Sequence, residues 1–401
     1  METDLKSLAV QGFRAAGLAA GIKKNGKPDF ALIVADEPCV AAGVATTNQV
    51  KAAPVLVNAR HLKGGKARAI LANAGNANAA TGVAGIRDVE LLSKALAERL
   101  GCPVDQILSA STGVIGEPLP TGRMLQALPN LAESLTPAGF PAAAEAILTT
   151  DRYPKAASMV VPIGRSAVKI AAFGKGAGMI NPNMATMLVF VATDAAIGRP
   201  ALQRALKEAV KPTFNSITVD GDMSTNDTVL VLANGRANNE PIKPGTKSFT
   251  TFTRGLAQVL EHIAKLMVTD GEGATKCVRI EVTGARTETD ALRIARQIGN
   301  SPLVKTAFFG EDANWGRIIG AAGAAGVKFD PLKVEIDFDD VSVVRGGVAV
   351  QDPKREERAT AVLKLPEFTV KVNLHAGRAA AHIFASDLGH EYIRINGSYR
   401  S

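Results

Sequence analysis

KGAGMINPNMATMLVF, residues 175–190, is a Gly-rich turn punctuated by Asn181-Pro182-Asn183 that runs straight into an apolar, β-prone segment, Met187-Leu188-Val189-Phe190-Val191. A threonine at a strand start is by itself usually just a β-branched residue in a sheet. The approach makes Thr186 different. Gly176 and Gly178 permit positive φ or close backbone approach, and the Asn-Pro-Asn triplet enforces a turn. The small Ala185 leaves its carbonyl open to the Thr186 hydroxyl, and an N→O acyl shift followed by hydrolysis of the ester would cut the chain between Ala185 and Thr186. Thr186 then becomes a new N-terminus whose hydroxyl attacks and whose α-amine is the base. Such an amine titrates at about 7.7–8.0, so a useful fraction is neutral at physiological pH. Before the cut that nitrogen is an amide, and another group, such as a water, must assist.

The rest of the chain is that of an ordinary globular protein. Its 401 residues are 46% hydrophobic and 21% charged, enough for one large core or two smaller ones. Aromatic content is only 4%, so Ala, Val, Ile and Leu must do the packing. The net charge of +8 is spread over scattered Lys and Arg without blocks or interleaved aromatics, which argues against a nucleic-acid partner and suits anionic metabolites. Cys39, Cys102 and Cys277 lie far apart, and neither they nor the five histidines make a metal-ligand spacing. No signal-like N-terminus and no membrane-length apolar run appears, so a soluble cytoplasmic protein is expected.

Helical periodicity is expected over 88–100, with Asp88 as cap and Gly101 as stop, and over 200–210, 254–268 and 289–298. Strand-like runs occur at 30–34, 69–71, 167–172, 187–192, 229–232, 278–282, 334–338 and 368–374. Interleaved helices and strands, several of them apolar on both faces, indicate an α/β or α+β layered sandwich. The stretches 113–138 and 236–250 read as the least regular, and a second unit is expected from about 280.

Several motifs could serve the nucleophile. In SASTGVIG (109–116), three hydroxyl residues precede a glycine; alone this is a polar loop, but beside a nucleophilic threonine Thr112 and Gly113 fit an oxyanion hole. NAGNANAATG (73–82) either lines a polar pocket or satisfies its own turns. TVDGDMSTNDT (218–228) does not space its oxygens and glycine as a calcium loop does. In TDGEGATK (269–276), Glu272 sits between two glycines; a solvated loop acid is the default, and an ammonium-binding carboxylate is the alternative. GEDANWGRIIG (310–320) carries Trp315, whose expected role is packing.

Taken together, GFRAAGLAAGIK (12–23), TTNQVKAAPV (46–55), NAGNANA (73–79), STGVIGEPLP (111–120), TTDRYPK (149–155), KGAGMINPNMATML (175–188), TVDGDMSTNDT, DGEGATK, SPLVKTAFFGEDANWGRI (301–318) and YIRINGSYRS (392–401) resemble the ArgJ family, the ornithine acetyltransferases (glutamate N-acetyltransferases) of arginine biosynthesis. The resemblance spans essentially the whole chain. It implies an α+β fold, a layered α-β-β-α sandwich of the DmpA/ArgJ-like, autoprocessed N-terminal-nucleophile type. It also implies fragments 1–185 and 186–401 joined as a heterodimer and paired again into a heterotetramer. By the same resemblance Thr186 takes acetyl from N-acetyl-L-ornithine and passes it to L-glutamate in a ping-pong scheme. Thr112 and Gly113 would form the oxyanion hole, and Thr149, Lys175, Glu272, Asn396 and Ser401 would line the substrate pocket with Thr186. No metal, cofactor, nucleic acid or membrane is implied; acetyl-CoA enters only as an acetyl-donor substrate, as in bifunctional members.

Ala313 stands where the family commonly has proline, and 384–396 departs from the family pattern at Phe384, Ala385, Ser386, Gly389, His390 and Glu391, on the C-terminal side of the pocket. Two other functions stay open on the residues alone: a self-cleaving amidase or aminopeptidase of the same architecture, and a binding homologue that never cuts.

Overall fold

The computed structural model describes residues 1–181 and 187–398. Its frame is a sheet folded over on itself. Strand β2 (Phe30–Ala45) is the crease: its first half pairs with β1 (Phe13–Leu18) and β3 (Lys66–Asn76), and its second half pairs with β9 (Thr228–Ala233). Beyond β3 lies β4 (Ile107–Val114), parallel to it. Beyond β9 come β7 (Leu188–Thr193), β6 (Ser166–Lys175) and β5 (Lys155–Ile163), giving the order β4-β3-β2-β9-β7-β6-β5. The register between Val34 and Cys39 is broken where the strand turns.

The two halves face each other across one apolar layer, in which Ile33, Ile70 and Leu108 meet Phe173, Phe190 and Leu232. Helix α4 (Phe140–Ala146) fills one side of that layer. Its Phe140 stands edge-on to Phe173, which stands edge-on to Phe190, at ring separations of 6.3 and 5.6 Å.

Helices cover both outer faces. On the β1–β4 half, Phe30, Leu32 and Leu71 pack under Leu92 and Leu96 of α2 (Gly82–Leu100) and Met124, Leu128 and Leu131 of α3 (Thr121–Glu133). Helix α1 (Ala53–His61) adjoins β4 and α2. On the other half, Val189, Val191, Val229 and Val231 pack under α5 (Arg199–Val210) and α6 (Lys247–Thr269). Helix α6 starts where Thr246 Oγ1 accepts the Phe249 N–H at 3.2 Å. It buries Phe249, Phe252, Leu256, Val259, Leu260, Ile263 and Met267 at helical spacing; each such side chain contributes about 1.5–3 kcal/mol of burial. The result is the expected α-β-β-α sandwich.

A second sheet carries the C-terminal part, in the order β13-β12-β11-β14-β10-β15-β8. Its strands are β8 (Ile217–Thr218), β10 (Cys277–Ala285), β11 (Glu335–Phe338), β12 (Val341–Arg345), β13 (Val348–Ala349), β14 (Glu367–Asn373) and β15 (Ala379–Ser386). Helices α7 (Glu288–Gly299), α8 (Pro302–Phe309), α9 (Trp315–Gly323) and α10 (Arg355–Leu363) share its core. Cys277 and Phe384 belong instead to the core under α6, which joins this sheet to the sandwich. Helix α11 (His390–Ser398) closes the described chain. Trp315 packs against this second core, as the sequence suggested.

Three local expectations need correction. Helix α2 begins at Gly82, six residues before the expected cap, so Asp88 lies inside it. The stretch 113–138 holds α3 despite Pro129, because Met124, Leu128 and Leu131 give it a buried face. SASTGV is strand rather than loop: backbone pairing to β3 holds it where its side chains offer little apolar signal. No described helix is long and apolar enough to cross a membrane.

Candidate active site

At the end of β4, Gly113 has φ of +132°, and a Cβ there would sit 2.3 Å from the Gly75 carbonyl carbon. Only glycine lets β3 and β4 approach so closely. The ladder is irregular at this point, with Asn76 opposite both Thr112 and Val114, which re-aims the strand end. Thr112 and Gly113 therefore open onto a cleft that they share with Ala77, Thr149, Lys175, Gly178, Glu272 and Asn396.

The asparagine-rich loop after β3 mostly secures itself. Asn73 Nδ2 donates to Asn76 O at 2.9 Å, and Asn78 Nδ2 donates to Gly85 O at 3.0 Å. Ser111 Oγ donates to Asn73 Oδ1 at 2.6 Å. From across the cleft, Asn226 Nδ2 donates to Ala77 O at 2.6 Å and to Ser111 O at 2.7 Å, pinning loop and strand together. Of the loop, Ala77 reaches the cleft wall.

Lys175 ends β6 and pairs with Leu188, the first residue of β7. The β6–β7 connection, which holds the 182–186 segment, thus begins and ends at one point beside the cleft. The Lys175 ammonium is almost fully buried, donates to Thr149 Oγ1 at 2.7 Å and lies 3.4 Å from Asp151 Oδ2. Asp151 is the hinge of a larger network. Its Oδ1 accepts the Gly176 N–H at 2.7 Å and the Lys155 ammonium at 2.5 Å, while Lys155 also donates to Asp270 Oδ2 at 2.5 Å. Burial works to raise the Asp151 carboxyl, but Lys175 and Lys155 outweigh it and hold the group well below the usual carboxylate range. Arg152 Nε caps the far side of Asp270 at 2.6 Å.

Opposite, Glu272 follows α6 on a tight turn. Its N–H donates to Ala177 O at 2.8 Å, and its Oε2 accepts from Asn396 Nδ2 of α11 at 2.7 Å. A Cβ on Gly178 would stand 2.5 Å from the Glu272 carboxylate, and one on Gly273 would strike the Tyr392 nitrogen at 2.6 Å. Both glycines are thus places where chain and carboxylate, or turn and helix, come into direct contact. Met179, also on the cleft wall, adopts φ of +57°. It is held there by Asp220, which accepts the N–H groups of Met179 at 2.5 Å and Ile180 at 2.9 Å.

The structure therefore gathers Thr112, Gly113, Thr149, Lys175, Glu272 and Asn396, drawn from well-separated parts of the chain, around one cleft. Ala185, Thr186 and Ser401 lie outside the described residues. Sequence reasoning passed over Asp151, Lys155, Asp220, Asn226, Asp227 and Asp270. Asp151 and Lys155 sat in view within TTDRYPK, and an acid and a lysine four apart were the available signal; the others show their role only through partners more than 35 residues away.

The model of the ArgJ family matches residues 14–401. The arginine biosynthesis bifunctional protein ArgJ of Geobacter sulfurreducens is 48% identical over 392 residues, covering 98% of this chain and 100% of that protein. Its counterpart in Symbiobacterium thermophilum is 49% identical over 395 residues, covering 98% of each. The crystal structure of arginine biosynthesis bifunctional protein ArgJ from Bacillus halodurans is 42% identical with a TM-score of 0.51, and covers 52% of this chain and 98% of that one. The chain belongs to the ArgJ family.

Proposed function

We propose that this protein, an acyltransferase of arginine biosynthesis, cuts itself between Ala185 and Thr186 and then carries an acetyl group from N-acetyl-L-ornithine to L-glutamate on the Thr186 hydroxyl. One observation carries the reading: the connection that contains Thr186 leaves and re-enters the sheet at the Lys175–Leu188 pair, beside a cleft that holds Thr112, Gly113, Glu272 and Asn396.

In the first stage the Thr186 oxygen attacks the Ala185 carbonyl, the C–N bond breaks as the ester forms, and water releases fragments 1–185 and 186–401. In the second, the new α-amine takes the hydroxyl proton as Thr186 attacks the acetyl carbonyl of N-acetylornithine. Thr112 and Gly113 stabilise the oxyanion. The departing nitrogen takes up the proton, and ornithine leaves an acetyl-threonine. The amine of glutamate then attacks that ester and restores the hydroxyl. Lys175 is the cation for the α-carboxylate that both substrates share, Glu272 receives the side-chain ammonium of ornithine, and Asn396 hydrogen-bonds either. Ser401 completes the pocket, and paired fragments assemble into a heterotetramer. Acetyl-CoA serves as a further donor to the same hydroxyl.

Denaturing mass measurement with N-terminal sequencing tests this reading. Wild type should give two fragments, the second starting Thr-Met-Leu-Val-Phe, whereas Thr186→Ala should stay in one piece and transfer no acetyl. An active Thr186→Ala protein would falsify the assignment of the nucleophile.

A further inference from the structure

Strand β4 ends the first sheet, with β3 on one side, and side chains rather than a strand take up the groups on its other edge. The Ile107 carbonyl meets His61 Nδ1 at 2.8 Å. Two residues on, Asn58 of α1 stands in for a neighbouring strand: its Oδ1 accepts the Ser109 N–H at 2.9 Å and its Nδ2 donates to Ser109 O at 2.7 Å. Two further on, Ser111 O accepts from Asn226 Nδ2 at 2.7 Å. The backbone groups of an extended strand alternate between its two edges. Residues 107, 109 and 111 therefore mark one edge, and the next N–H along it belongs to Gly113. That N–H lies in the peptide plane shared with Thr112, so the positive φ of Gly113 does not turn it away. Gly113 is where this edge reaches the cleft.

Asn226 is the last side chain on the edge before Gly113, and it is only 5% exposed. The same Nδ2 also donates to Ala77 O at 2.6 Å, so one carboxamide ties the end of β4 to the loop after β3. The carboxamide is itself held in place. Its Oδ1 accepts the Thr225 hydroxyl at 2.5 Å, and the Asn226 backbone N–H donates to Ser224 Oγ at 3.0 Å.

We propose that Asn226 is a positioning residue for acyl transfer: through Ser111 O and Ala77 O it holds the end of β4 so that the Gly113 N–H points into the cleft, at the oxygen of the acyl carbonyl under attack. The role rests on the reading of Thr112 and Gly113 as the oxyanion hole given above. A donor stabilises a developing oxyanion most when it is already aimed and need not turn as the charge forms. The end of β4 cannot supply that aim alone. Gly113 has no side chain to anchor it, and the ladder to β3 is irregular at Asn76. Asn226 fixes the peptide just before Thr112 by its carbonyl, and the Gly113 donor follows one peptide later.

The test compares wild type with Asn226→Ala, with Asn226→Ser in case the alanine variant does not fold, and with Asn58→Ser. The last removes the same kind of brace from the same edge, four residues before Gly113. Acetyl transfer from N-acetylornithine to glutamate is measured per mole of second fragment, and melting temperature is followed alongside. Loss of the Asn226 donors should lower kcat about 10²-fold, the effect of a small misplacement at a reacting centre. KM for either substrate should change by less than about threefold, because the interaction is realised in the transition state. Asn58→Ser should melt at a lower temperature but keep kcat within about threefold of wild type, since the groups that it frees do not face the cleft. A folded, cut Asn226 variant with wild-type kcat overturns the role given to Asn226. An equal loss of kcat in Asn58→Ser also overturns it, because the edge as a whole and not the aim of Gly113 would then matter. A folded Asn226 variant that stays uncut overturns it too, by placing the residue in the cutting step. An uncut wild type, or an active Thr186→Ala protein, is a different failure: it sinks the cleavage reading in proteins that keep Asn226.

Discussion

Asp220 shows how one side chain sets the shape of the cleft wall. It accepts two successive N–H groups, from Met179 and Ile180, and so holds Met179 at its positive φ. Burial pushes its carboxyl up to about 6, only partly offset by those N–H groups. An acid raised in the folded state keeps its proton after the unfolded chain has lost its own near about 3.9. Its contribution to stability is therefore full below about pH 4 and is lost as pH rises through about 6, a change of about 3 kcal/mol. Denaturant unfolding of wild type should show this decline between about pH 4 and 6, and Asp220→Asn should flatten that part of the curve. Parallel pH curves for the two proteins would remove Asp220 as its source. Glu272 makes the complementary point. Gly178 has no side chain because the Glu272 carboxylate occupies that space, so the second glycine of KGAG serves a carboxylate 94 positions later, a role that local reading assigns to the turn alone.

Between elements, the Lys155 ammonium is the joint. It starts β5, is fully buried, and bridges Asp151 ahead of the strand to Asp270 at the end of α6. Asp151 in turn reaches Lys175 at the end of β6. Replacing Lys155 with Met leaves two buried carboxylates short of a cation, and this should destabilise the fold by about 3–5 kcal/mol. Urea midpoints will measure it, and a loss below about 1 kcal/mol would show the bridge to be dispensable. The sequence could not reveal this joint, because Lys155 and Asp270 are separated by the whole of β5, β6, β7, α5, β8, β9 and α6. Helices α5 and α7 were readable since Ala201, Leu202, Ala205, Leu206 and Ala209, like Ala291, Ile294, Ala295 and Ile298, repeat at helical spacing. Strand β4 was not, because its site-facing end is Ser-Ala-Ser-Thr-Gly, and only its backbone pairing to β3 keeps it extended. The pocket residues were identified through family resemblance. Spacing alone gave only Thr112, Gly113, Thr186 and, as an alternative, Glu272.

The order of the folded sheet decides what the proposed cleavage would do to the molecule as a whole. Strands β7 and β9, which follow residue 186, lie side by side between β2 and β6, which precede it. The later fragment is thus held by a ladder on each edge, six residue pairs to β2 and six to β6. Its α5 and α6 also roof a core that includes Ile170 and Val161 of the earlier one. Cutting the connection removes none of these contacts, so the fragments should co-elute under native conditions and melt in one transition. The cost appears on refolding. In one chain, β7 finds β6 by closing a short connection, a unimolecular event. In the cut protein the same pairing joins two molecules, neither of which contains all the strands of the folded sheet. After denaturation in urea and dilution, recovery of the cut protein should therefore speed up in proportion to concentration, while uncut Thr186→Ala refolds at a rate independent of it. A concentration-independent rate for both would mean that a fragment builds its part of the sheet alone, contrary to the interleaved order of β2, β9, β7 and β6.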